Sequence, residues 1–153
     1  MSGSDELREL YQEMILDHHK RPRNFGKLAG ANHHADGYNP LCGDRVTIYL
    51  RIEDDTIQDI SFEGSGCAIC TASTSLMTET LMGKRVSDVE RYFGKFRNLV
   101  TGDPENPADD AGLGKLAIFA GVREYPIRVK CATLPWHTLQ AALQDESETV
   151  TTE

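Results

Sequence analysis

Val46-Thr47-Ile48-Tyr49-Leu50-Arg51-Ile52 and Ile57-Gln58-Asp59-Ile60-Ser61-Phe62-Glu63 alternate apolar and polar residues with the period of a β-strand. The polar stretch Glu53-Asp54-Asp55-Thr56 separates them, so the pair predicts a β-hairpin. One face of it carries Val46, Ile48, Leu50, Ile52, Ile60 and Phe62 toward a core. Both ends of this hairpin abut residues that carry chemistry. Asn39-Pro40-Leu41-Cys42-Gly43-Asp44 sets a thiol and a carboxylate two residues apart before the first strand. Gly64-Ser65-Gly66-Cys67-Ala68-Ile69-Cys70 follows the second.

Outward from the hairpin the chain reads mostly as helix. Leu7, Leu10, Tyr11, Met14 and Ile15 give Asp5 to His19 an apolar stripe at helical spacing, ending before Pro22. Helices are also predicted from Cys67 to Met82, closed by Gly83, from Val86 to Val100, and from Leu113 to Val122. Pro126 to Lys130 reads as extended, with a closing helix from Thr133 to Leu143. Gly26 to Pro40 reads as loop, with His33 and His34 as solvated surface. His18 and His19 complement the dipole at a helix end. The 102–110 stretch reads as an exposed acidic loop, and Asp145 to Glu153 as a mobile tail. The expected fold is α+β, a small antiparallel sheet of about three strands packed against several α-helices. One domain over 1–153 accommodates it.

Composition narrows the function. The 153 residues carry a formal net charge of −8, with no run of Lys and Arg that could track a phosphate backbone, so nucleic acid is excluded as a main partner. No apolar run is long enough for a bilayer, and Met1 to Glu6 lacks the form of a signal peptide. These features place the chain in the cytoplasm, where its four cysteines are reduced and read as ligands or redox groups before disulfides.

Cys42, Asp44, Cys67 and Cys131 are the candidate ligands of one metal ion, zinc by preference. Gly43 permits a tight chelate between the first two. Cys67 opens a helix, whose N–H groups favour thiolate. Three thiolates and a carboxylate leave Zn²⁺ with excess negative charge, and Arg45, Arg128 and Lys130 stand beside the proposed ligands in sequence. Structural zinc, or unconnected buried cysteines, are the plainer alternatives. Cys70 lies three residues from Cys67 on the same side of the helix. It could complete an all-cysteine site for zinc or an iron–sulfur cluster, form a redox pair, or be a small buried residue. The last is preferred, because the Cys42-x-Asp44 pairing is otherwise unexplained.

Leu10-Tyr11 through Ile15-Leu16-Asp17-His18, Pro22-Arg23-Asn24-x-Gly26, Asn39-Pro40-x-Cys42-Gly43-Asp44, Gly64-x-Gly66-Cys67-Ala68-Ile69 and Arg128-Val129-Lys130-Cys131-Ala132 span nearly the whole chain. Together they resemble the U-type iron–sulfur cluster assembly proteins, the family with the IscU/NifU N-terminal fold. Within it the chain resembles the SUF branch. The scaffold branch has histidine where Lys130 stands, and the SUF branch has an insertion that matches the Gly94 to Gly121 region. At Cys70 the chain departs from the serine expected of the family.

The resemblance implies a zinc-dependent sulfurtransferase that accepts persulfide sulfur from the cysteine desulfurase SufS. Cys42 would be the acceptor, leaving the zinc when the desulfurase docks. Zinc would be held by Cys42, Asp44, Cys67 and Cys131, with Arg128 and Lys130 as candidate anion stabilisers and downstream SUF scaffold proteins as further partners. The alternative it carries is a scaffold on which an iron–sulfur cluster is assembled and transferred. The 103–110 loop and the Asp17 to Gly26 segment are the expected docking surfaces for the desulfurase.

Overall fold

The computed structural model describes residues 3–103, 105–106, 108–145 and 149–152. Its sheet has four strands, β1 (His33–Asn39), β2 (Asp44–Glu53), β3 (Thr56–Ser65) and β4 (Val150–Thr151), in the order β3-β2-β1-β4. The predicted hairpin is β2–β3, turned by Asp54 and Asp55 at φ 53° and 58°. Two consecutive left-handed residues suit the right-handed twist of the flanking strands. Val46, Ile48, Leu50, Ile60 and Phe62 are buried as expected, joined by Ile57. Ile52 is only half-buried, beside a register shift between Arg51 and Ile52.

Two strands come from segments read otherwise. β1 lies in the supposed loop and pairs antiparallel with β2 from His33↔Leu50 to Asn39↔Asp44. Its inward residues are Ala35, Gly37 and Asn39, too small or too polar to show a hydrophobic period. They are small because α4 (Pro126–Leu143) crosses closely: a side chain at Gly37 would collide with Thr138, and Leu134 Cδ1 would lie 3.1 Å from its Cβ. β4 falls in the supposed mobile tail and pairs parallel with β1 through Gly37↔Val150 and Tyr38↔Thr151. The sheet is therefore mixed. The parts of the loop and tail readings that fall on residues 104, 107, 146–148 and 153 lie outside the described residues.

The helices are α1 (Gly3–Lys20), α2 (Ala68–Leu81), α3 (Val86–Thr101) and α4, with a 3-10 helix over Gly114–Glu124. Leu113, Leu116, Phe119 and Val122 recur every third residue, so the tighter turn lines all four up on the buried side. Pro126 to Lys130 is helical, not extended. Pro126 takes the first-turn position where its missing N–H costs nothing, and Arg128 N–H and Val129 N–H both donate to Tyr125 O. The alternation of Ile127 and Val129 mimicked a strand. α2 and α4 pack against the sheet, α1 packs on α2, and α3 packs on the 3-10 helix and α4. Trp136 of α4 is fully buried, stacked on Phe96 at 5.0 Å and Phe93 at 5.9 Å.

His18 departs from its expected role. Its ring is buried, and Nδ1 hydrogen-bonds Ser75 Oγ of α2 at 2.7 Å, while Ser75 Oγ also accepts from Arg23 N–H. Burial, aided by Arg23 and Lys115 against Glu79 and Asp17, holds the imidazole below its ordinary 6.5. The unfolded chain gains a proton as pH falls through 6.5 and the folded ring resists it. Stability from neutral His18 is therefore complete above that value and lost on acidification. His137, also held down by burial, acts in the same direction. The denaturant midpoint is expected to fall from about pH 7 to about pH 5, and less steeply in His18→Gln. An identical fall in the variant would remove His18 from the account.

Candidate metal centre

The β1–β2 connection is a four-residue turn, Pro40 to Gly43, between the paired residues Asn39 and Asp44. Asn39 organises it. Its side-chain oxygen accepts from Leu41 N–H at 3.1 Å, and its carbonyl accepts from Cys42 N–H at 3.3 Å and Gly43 N–H at 2.8 Å. Gly43 closes the turn at φ +73°, a left-handed conformation that glycine adopts without strain. Cys42 is thus held, half-buried, on the turn, and Asp44 is fully buried at the first position of β2.

Cys67 arrives from β3. It is the N-cap of α2, with its N–H donating to Asp44 Oδ1 at 2.8 Å and its sulfur 3.8 Å from Asp44 Oδ2. Gly66 before it leaves room for that carboxylate, since a Cβ there would lie 2.7 Å from Asp44 Oδ1. Cys131 sits inside α4, not between a strand and a helix, and is fully buried. Ser73 Oγ of α2 donates to Ala132 O at 2.6 Å and fixes α4 beside α2 at this level.

These four positions converge from distant parts of the chain. The sulfurs of Cys42 and Cys131 and a carboxylate oxygen of Asp44 all lie within 4.8 Å of one another. The two sulfurs are 3.3 Å apart. Cys67 lies outside that group of three and meets it through Asp44, its sulfur 3.8 Å from Asp44 Oδ2. Asn39 Nδ2, fully buried, donates to Cys131 Sγ at 3.7 Å. Asn39 stood in the quoted motif without a role; its short polar side chain before a Pro-x-Cys-Gly turn was the available signal.

Cys67 and Cys131 are pushed in opposite directions. The Cys131 thiol is pushed far up by Cys67 beside it and by burial; it keeps its proton and donates to Cys42 Sγ at 3.3 Å. The neighbouring Cys131 thiol draws the Cys67 thiol down to about 6. Arg128 at the start of α4 answers this charge, its guanidinium held more firmly protonated by Cys67 and Cys131. Among the described residues Lys130 shows no side-chain contact with the sulfurs, and Arg45 lies over the Tyr38 ring at 4.3 Å. His33 and His34 stand apart from the group. His33 is half-buried against Ala142 O and Asp145, and His34 is exposed.

Cys42 opens on a cleft of about 370 Å³ between its turn and the Glu124 to Arg128 segment. Leu41, Tyr125 and Ile127 on its rim are 63%, 58% and 62% exposed. A second cavity of about 360 Å³, lined by Leu7, Tyr11, Ile15, Ile69, Tyr125 and Arg128 among others, separates α1 from the N-terminal ends of α2 and α4.

A fold and a cysteine–aspartate centre of this kind define a class of protein. The family model for the NifU-like N terminal domain matches residues 10–132, and the chain belongs to that family. Similar proteins include the iron–sulfur cluster assembly scaffold protein IscU of Streptococcus pyogenes serotype M1, 39% identical, aligned over 91% of this chain and 86% of that one. The zinc-dependent sulfurtransferase SufU of Bacillus subtilis is 36% identical over 95% of this chain and 97% of its own. A solved structure described as an iron–sulfur cluster assembly scaffold protein for the SUF system, from Fervidobacterium islandicum AW-1, aligns with a TM-score of 0.80. It is 39% identical and covers 89% of this chain and 98% of that one. The chain is a homologue of the IscU and SufU proteins of iron–sulfur cluster assembly. None of its described helices is long and apolar enough to cross a membrane.

Proposed function

We propose that the protein accepts sulfur as a persulfide on Cys42 from a cysteine desulfurase, for iron–sulfur cluster assembly, with zinc held by Cys42, Asp44, Cys67 and Cys131. The observation that carries this reading is the position of Cys42. It is the ligand borne on a turn and open to a cleft, while the sulfur and carboxylate beside it are fully buried.

Zinc fits the donors. Thiolates and a carboxylate are donor types that zinc accepts; Cys42, Asp44 and Cys131 already lie together, and Cys67 beside Asp44 would be the fourth. Asp44 is fully buried, and its carboxylate accepts from the Cys67 amide and lies 3.8 Å from the Cys67 sulfur, with no basic side chain paired to it among the described residues. A buried carboxylate among thiols is costly without a cation. Zinc bound there would supply the positive charge that keeps the thiols ionised at neutral pH. The chain's own residues do the rest. The Cys42 thiolate attacks the terminal sulfur of the desulfurase persulfide, forming a new S–S bond as the enzyme's own S–S bond breaks and its cysteine leaves as thiolate. Arg128 lies where it can balance the charge left on Cys67 and Cys131. Leu41, Tyr125 and Ile127 form the apolar rim on which the desulfurase docks. Free thiols in this role require a reducing compartment, which in this reading is the cytoplasm.

A second reading is favoured by the relatives named as scaffolds, in which the same sulfurs hold an iron–sulfur cluster under assembly. Protein purified without added metal separates the two. About one zinc per chain and no visible absorption is the expected result. A brown cluster retained under anaerobic handling, with little zinc, would place the scaffold reading first.

A further inference from the structure

The sulfur-acceptor reading leaves Cys70 unused. Cys67 and Cys70 hold the N-cap and third helical positions of α2. Cys67 has extended backbone angles, φ −70° and ψ 166°, which fold its side chain back over the first turn. Its sulfur accepts from Cys70 N–H at 3.5 Å, as a capping serine oxygen would. Residues three apart on a helix have Cβ atoms roughly 5–6 Å apart. Cys67 stands outside the helix with an extended backbone, so that helical spacing is not imposed on its Cβ, and a disulfide needs a Cβ separation of roughly 3.5–4.5 Å. The two sulfurs also differ in access. Cys67 is half-buried at the helix end, and Cys70 beneath it is 3% exposed. An outer sulfur that meets the reagent, above an inner one that displaces what is left on it, is the working layout of a redox dithiol.

We propose that Cys67 and Cys70 are such a pair: a hydroperoxide oxidises Cys67, Cys70 closes a disulfide, and Cys67 is withdrawn from the metal ligands. With hydrogen peroxide, the Cys67 sulfur attacks one oxygen and the O–O bond breaks. The departing hydroxide takes the proton given up by Cys67 and leaves as water, and Cys67 carries S–OH. The Cys70 sulfur then attacks Cys67 Sγ, forming the S–S bond and breaking the S–O bond, and the second hydroxide leaves as water with the Cys70 proton. The two thiols lose two electrons together and the peroxide gains them. The rival pair is Cys42 and Cys131, whose sulfurs are 3.3 Å apart. Joining that pair locks a turn onto α4, whereas the Cys67–Cys70 bond stays within one helical turn. Disulfide formation stands apart from the sulfur-acceptor reading; the loss of metal rests on Cys67 being a ligand.

The test uses the full chain stripped of metal by a chelator, exposed to limiting hydrogen peroxide, alkylated, and mapped without reduction after trypsin. Cys67 and Cys70 fall in one peptide, residues 52–84, while Cys42 and Cys131 fall in 28–45 and 131–153. The expected result is a 52–84 peptide lighter by two hydrogens and unalkylated at both cysteines, restored by dithiothreitol. In Cys70→Ser, Cys67 should instead advance to sulfinic acid. Alkylation at both positions, or a link between 28–45 and 131–153, overturns the pair. Zinc uptake by the disulfide form should fall about tenfold or more. Unchanged uptake overturns the switch. Full zinc binding by reduced Cys67→Ser would locate that failure in the ligand set, with the disulfide standing.

Discussion

Replacing Cys42 with serine is expected to abolish the proposed persulfide acceptance and to leave the protein folded. The hydroxyl of serine stays protonated where a thiolate is needed, so attack on a sulfur–sulfur bond stops even if the desulfurase still docks. The structural cost is small. Cys42 is half-buried on a turn whose hydrogen bonds run through the backbone and Asn39, so the metal-free variant should lose only about 0.5 kcal/mol. The measurement is sulfide production by the desulfurase with cysteine and a reductant, beside mass mapping of the persulfide. The variant should return the rate to that of the desulfurase alone. Full stimulation by Cys42→Ser would sink the acceptor mechanism.

The second large effect belongs to Asp44. Asp44→Ala removes a proposed ligand and also the acceptor for the Cys67 N–H at 2.8 Å, leaving that amide to find another partner. An unsatisfied buried donor costs about 1–3 kcal/mol. Zinc affinity should fall by more than the roughly 10–100-fold typical for loss of an outer-shell partner. Cys70→Ser, which keeps all four proposed ligands, should bind zinc nearly as the parent does. Competition with a chelator of known affinity ranks the two, and a larger loss in Cys70→Ser would mean that Cys70, not Asp44, is the fourth ligand.

The hairpin and α3 were legible because each buries a regular apolar face, α2 because glycines bracket it, and α1 by helical spacing alone, since Leu7 and Leu10 of its stripe stay 46% and 50% exposed. β1 was not, because its inward side is Ala35, Gly37 and Asn39, chosen by the closeness of α4 and by the turn that follows. The start of α4 was hidden by Ile127 and Val129, which share the period of a strand over so few residues. Cys42 and Asp44 announced themselves by spacing, and Cys67 by its glycines. Their meeting with Cys131 required packing between α2 and α4 that no local pattern encodes. His18 looked like a dipole partner because sequence shows its place on α1 but not Ser75 opposite. Arg128 and Lys130 were equivalent in sequence, and only the helical geometry of 126–130 sets Arg128 against the sulfurs.

The borders of the sheet limit how another protein can be recruited. On the outer side of β3, Gly26 N–H donates to Phe62 O and Phe62 N–H to Asn24 O, while Ile57 exchanges hydrogen bonds with Lys84 and Gly83. At the opposite border β4 occupies Gly37 and Tyr38, and Thr152 N–H donates to Tyr38 O. The backbone groups that would template an incoming strand are largely taken, above all at the end of β1 nearest the Cys42 turn. A visitor to this centre cannot extend the sheet there and must recognise side chains on the turn and the start of α4. On the proposed function, specificity for a sulfur donor would then be written in Leu41, Tyr125 and Ile127, exposed residues whose side chains take no part in the ladder.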